Sequence, residues 1–137
     1  MSRSAIQKIT LAFGIVYFLI GVLGFIPGIT QFSGNPTGPV PGEGLLLGIF
    51  AVNAVHNIAH LAVGAVLIWG AQSADRVFAV NKAMAVVFLV LVVGSIIAPI
   101  VEGVAINPPD TVLHLASALL TGYLGFVAAR QLSASRA

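Results

Sequence analysis

Two imidazoles stand four residues apart inside a long apolar run, Asn53-Ala-Val-His56-Asn57-Ile-Ala-His60-Leu61-Ala-Val-Gly64. On a helix, positions 53, 56, 57, 60 and 64 share one face, because neighbours at i+3 and i+4 stack. His56-x-x-x-His60 has the spacing of a helical metal pair. His114 can supply a third nitrogen, and Asp110 or Glu102 an oxygen, which is enough for one zinc-like ion. It is not the zinc-protease motif, which needs a glutamate base where Asn57 stands. A haem held between His60 and His114 is a second use of the same residues. Against it, only Gly64 supplies the small residue that bis-histidine bundles place beside their ligands.

The alternative needs no cofactor. Asn53, His56, Asn57, His60, Asp110 and His114 would form a structural cluster of interhelical hydrogen bonds, each contributing about 0.6–2 kcal/mol in a membrane. Asp110 and His114, also at i, i+4, are either a charge-assisted pair or a helix-start acid beside a histidine that mirrors His60. Ser117 and Thr121 continue that face. They either extend a polar stripe for a small solute or a proton, or bond back to their own backbone. There is no cysteine, hence no disulfide and no thiolate ligand. No phosphate-binding loop, nucleotide motif or nucleophile–base set is present, so the chain reads as non-enzymatic.

These groups must be carried by membrane helices. Of 137 residues, 58% are hydrophobic and 7% charged, with mean hydropathy +1.06. A soluble domain has about a quarter of its residues charged. The expected architecture is all-α: one integral membrane domain over 1–137, a four-helix bundle with spans near 6–26, 48–71, 77–101 and 110–129. Its partner is the lipid bilayer, and nucleic acid is not expected. Polar groups in hydrocarbon are costly unless they face protein or water, so the Asn/His face should point into the bundle. Gly14, Tyr17, Gly21, Gly24 and Gly28 lie near one face of the first helix and read as a close-packing surface.

Between the first two spans, Pro27–Gly44 is rich in Gly and Pro and reads as a loop. Leu45–Val52 is open between early helix turns, an interfacial segment and a tilted extension. Trp69 sits near the far end of its span, as interfacial aromatics do. Ser73 is a plausible N-cap for the third span, which Pro99 interrupts. Asn81 and Lys82 read as anchors at its start. Asn107-Pro-Pro-Asp110 reads as a helix start, with an Asn cap, Pro in the first turn and an acid at its end.

With four spans, all six basic residues (Arg3, Lys8, Arg76, Lys82, Arg130 and Arg136) fall on one side, and Glu43, Glu102 and Asp110 on the other. The positive-inside rule then places both termini in the cytoplasm and loops 27–47 and 102–109 outside.

The two halves match. Asn53, His60 and Leu61 recur as Asn107, His114 and Leu115, each 54 residues later, while His56 and Asn57 correspond to Asp110 and Thr111. Gly14–Ile20 resembles Ala85–Leu91, 71 residues later. Two tandem helix-loop-helix repeats are expected, related by an axis along the membrane normal. His60 and His114 would then be equivalent and close to that axis.

The Asn-x-x-His-Asn-x-x-His-Leu-x-x-Gly pattern, the Asn-led third helix and the closing Asp110-x-x-Leu113-His114-Leu115 resemble a family of small four-helix membrane proteins of unknown function, abundant in actinobacteria. The resemblance covers nearly the whole chain. It implies a multi-pass protein of the bacterial inner membrane and brings no activity with it. The residues favour a structural or accessory subunit, acting as a homo-oligomer or inside a larger membrane complex. A metal- or haem-binding protein using His56, His60 and His114 is the second reading, and a solute or proton pathway the third.

Overall fold

The computed structural model describes residues 1–32, 42–97 and 103–134. Pro99, Glu102 and the Gly/Pro positions 34–41 lie outside them. Among the described residues, four helices are long and apolar enough to cross a membrane: Arg3–Leu23, Ala54–Ala71, Arg76–Ile97 and Pro108–Leu132. The protein is thus an all-α, multi-pass membrane bundle. We label α1 Arg3–Leu23, α2 Ala54–Ala71 and α3 Arg76–Ile97. The last span is α4, Pro108–Gly122, which runs through one wider π-helical turn, Tyr123–Val127, into α5, Ala128–Ala134.

The bundle turns many large apolar side chains outward and buries polar ones alongside its apolar core. Leu19, Ile58, Val90, Ile96, Val112 and Leu119 are exposed, while Thr10, Asn57, Asn81, Ser117 and Thr121 are buried. An outward apolar surface is what hydrocarbon accepts, and the polar groups face protein inside.

Glycine sets how the first pair of helices packs. A Cβ on Gly64 would lie 2.5 Å from the backbone nitrogen of Phe18, and one on Gly14 would lie 2.9 Å from that of Ile68. A Cβ on Gly21 would meet Asn57 O and Leu61 at 2.8 Å. Backbones therefore touch between α1 and α2. In the second half, Ala85 stands at the position of Gly14, and its methyl would be 3.8 Å from a Cβ on Gly122. Near the chain termini, Ile6, Val77, Leu124 and Ala128 form a small apolar core.

The connection between α1 and α2 differs from the expected loop. It contains a three-stranded antiparallel sheet: β1 Thr30–Phe32, β2 Gly44–Leu46 and β3 Phe50–Val52. Thr30 pairs with Leu46, and Leu46 pairs with Phe50. The second helix consequently starts at Ala54, later than position 48. Leu45–Val52 is neither helix turn nor tilted extension, because Leu47 (φ 55°) and Gly48 (φ 71°) reverse the chain in a left-handed hairpin turn that no right-handed helix can pass through.

Candidate metal centre

Asn53 and Asn107 build the two helix starts on which the site stands. Both are extended, with φ −144° and −127°, and both are N-caps. Asn53 Oδ1 accepts from His56 N at 3.0 Å, and Asn107 Oδ1 accepts from Asp110 N at 3.2 Å. Asn53 is therefore a cap and not part of the helical face. Asp110 closes a capping box, its Oδ2 accepting from Asn107 N at 3.0 Å. The same oxygen accepts from Ala51 N of β3 at 3.1 Å.

The bonds between the halves obey the same 54-residue offset as the sequence. Asn53 Nδ2 donates to Gly103 O, and Asn107 Nδ2 donates to Ile49 O. His56 Nδ1 bonds Ala105 O, and the equivalent Asp110 accepts from Ala51, the equivalent of Ala105. The aromatic neighbours obey the 71-residue offset. Tyr17 lies 5.4 Å from His60, and Phe88 lies 6.0 Å from His114, between ring centroids. The two halves are thus a pseudo-symmetric pair that exchanges hydrogen bonds across its interface.

His56, His60 and His114 converge inside this clamp. All three are buried, at 4%, 4% and 2% exposure. Ring centroids of His56 and His60 are 4.4 Å apart, those of His56 and His114 5.9 Å, and those of His60 and His114 6.3 Å. One ligand nitrogen from each lies within 4.8 Å of the others. Around a tetrahedral zinc ion such nitrogens sit about 3.3 Å apart, given Zn–N bonds of about 2.0–2.1 Å.

Two features of the hydrogen bonding favour ligation. His56 Nδ1 faces two carbonyl oxygens, Ala51 O at 3.0 Å and Ala105 O at 2.6 Å. It must therefore carry the proton and donate, which leaves Nε2 as the lone-pair nitrogen and holds the ring in place. His60 Nδ1 and His114 Nδ1 are buried without a hydrogen-bond partner. A buried polar atom left unpaired costs about 1–3 kcal/mol, so each such atom calls for an explanation.

The structure places the remaining candidates as follows. Asn57 is buried on the same helix face, with its Oδ1 unpartnered and its carboxamide filling the space a side chain at Gly24 would take. Asp110 is engaged by the capping box and β3, apart from the three nitrogens in mutual reach. Ser117 and Thr121 are buried and bond to Leu113 O and Ser117 O, at 2.8 and 2.7 Å. Two buried polar residues go beyond the roles expected for them. Tyr17, read as packing, places its hydroxyl 2.7 Å from Ser117 Oγ. Asn81, read as an anchor, has no exposed surface and donates to Thr10 Oγ1 at 2.8 Å. The available signal was position: each is a polar residue well inside an apolar run.

The sequence profile described as Domain of unknown function (DUF4383) matches residues 7–127. The chain belongs to this family. No curated protein and no solved structure matches it. The DUF4383 match takes in the second and third membrane helices, most of the first and last, and all three histidines.

Proposed function

We propose that this DUF4383 protein holds one divalent transition-metal ion, zinc-like in its preferences, between His56, His60 and His114. The observation that carries the reading is the convergence of three buried imidazoles from both halves, two of them with an unpartnered nitrogen. Neutral imidazoles without thiolate or carboxylate suit zinc and its neighbours in the first transition row. Three protein ligands leave a fourth coordination position, which structural zinc sites normally fill with a fourth side chain. Haem fits less well: the rings of His56, Tyr17 and Phe88 pack against His60 and His114, where a porphyrin would have to sit.

Around the ion, the capped asparagines, Asp110 and His56 Nδ1 act as the structural clamp, which gives the hydrogen-bond reading its own share of the cluster. The termini lie in the cytoplasm and the sheet outside, as the basic residues indicate, so the site sits in the outer half of the membrane. Cobalt loading tests the assignment. Visible d–d absorption of a tetrahedral, nitrogen-ligated ion is expected. The spectrum of the free aqueous ion alone overturns the reading.

A further inference from the structure

The three-stranded sheet leans on the histidine cluster by one edge. Its order is β1-β2-β3, so β3 has β2 on one side only, with Leu45 opposite Ala51 and Leu46 opposite Phe50. An edge strand leaves a row of backbone groups with no strand to pair with. Side chains from the starts of α2 and α4 take them here. Asn107 Nδ2 donates to Ile49 O at 2.8 Å, Asp110 Oδ2 accepts from Ala51 N at 3.1 Å, and His56 Nδ1 donates to Ala51 O at 3.0 Å. Both backbone polar groups of Ala51 are thus held by the cluster. The same His56 nitrogen lies 2.6 Å from Ala105 O, in the segment that leads into α4. Ala51 and Ala105 are both buried. One imidazole therefore joins the sheet, the approach to α4 and the metal centre.

That imidazole converts ion occupancy into grip. An ion-free ring is able to carry its hydrogen on either nitrogen, and only the Nδ1–H form holds the two carbonyls. With the hydrogen on Nε2, a lone pair would face both oxygens and the contacts would be lost. An ion on Nε2 removes that alternative and fixes the hydrogen on Nδ1. It also draws charge from the ring, so the N–H becomes a charge-assisted donor, roughly twice as strong as a neutral one. The low dielectric of a buried site strengthens the effect.

The far side of this contact is a surface. Leu47 and Ile49, at the turn between β2 and β3, are exposed, and Ile49 is two residues from Ala51. We propose that the sheet is a metal-responsive surface: an ion on His56 locks β3 and the 103–105 segment in place, and loss of the ion releases them. This rests on the metal reading and gives the ion a use, as the control on what the protein presents at the end of the bundle opposite its termini.

The test is hydrogen–deuterium exchange of the full-length protein in detergent micelles, followed by mass spectrometry, with chelator and with zinc. Metal content is measured on the same samples. Zinc should slow exchange at residues 50–52 and 103–106 about fivefold or more, and leave α3 much less affected. In a His114→Ala protein, which lacks a ligand and keeps His56, zinc should change nothing. A wild-type protein that holds zinc and exchanges in the sheet as fast as with chelator overturns the proposal and leaves the metal reading standing. Equal slowing along the whole chain, α3 included, does the same, because it reports general stabilisation. A protein that takes up no metal overturns both.

Discussion

Asn53 and Asn107 each cap their own helix and each donate across the bundle to the carbonyl four residues before the other, Asn107 to Ile49 and Asn53 to Gly103. A single residue type thus satisfies one helix start and ties the two halves together. It also fixes the height at which the histidines, on the first two turns of α2 and α4, meet.

These two jobs can be separated. Aspartate caps a helix as well as asparagine does, but it cannot donate to Gly103 O. Asn53→Ala should lose about 1–2 kcal/mol as a lost cap, and Asn53→Asp should also be destabilised although the cap remains. Unfolding in mixed micelles measures both. An Asn53→Asp protein as stable as wild type would show that the crossing bond contributes nothing.

Helix contact predicts an asymmetry between the halves. Gly64→Ala drives a methyl into the backbone of Phe18 and should cost about 1–3 kcal/mol, the usual penalty for overpacking. Gly122→Ala has 3.8 Å of room to Ala85 and should be close to neutral. The same unfolding assay compares them, and equal losses would contradict backbone contact as the basis of α1–α2 packing.

A bound ion stabilises the fold by mass action, by about 2.7 kcal/mol when present at a hundred times its dissociation constant. Chelator should therefore lower the thermal midpoint, and added zinc should restore it. His114→Ala should abolish the response to both, while Val112→Ala, on the lipid-facing side of the same helix, should keep it.

The absence of cysteine makes topology simple to test. Ser2→Cys and Leu47→Cys create single thiols at opposite ends of the bundle. A membrane-impermeant maleimide added to intact cells should label Leu47→Cys and leave Ser2→Cys unmodified until the membrane is opened. The reverse pattern would invert the orientation and place the metal centre in the inner half.

Much of this architecture was legible beforehand because membrane sequences are constrained twice, by hydropathy and by the cost of polar groups in hydrocarbon. His56, Asn57 and His60 stood out for the second reason, and Asn107-Pro-Pro-Asp110 because caps have a local chemistry. The sheet was not legible. Gly44–Val52 is a short apolar run, and such a run carries no periodicity that separates a strand from a buried helix turn. For the same reason the sequence does not show that Asn53 precedes its helix, since nothing before it marks where the strand ends. Tyr17, Thr10 and Asn81 were hidden differently. Each is a polar residue with apolar neighbours on both sides or nearly so, and its importance comes from a partner distant in sequence, as in the contact between Tyr17 and Ser117.

The central claim is that three imidazoles of one chain share an ion. Elemental analysis of protein purified without chelator, with the chain quantified by amino-acid analysis, tests this most directly. About one equivalent of zinc or a neighbouring transition metal per chain is predicted, reduced to background in folded His60→Ala and His114→Ala proteins. Metal-free wild-type protein that takes up no zinc, cobalt or copper on incubation would contradict the account.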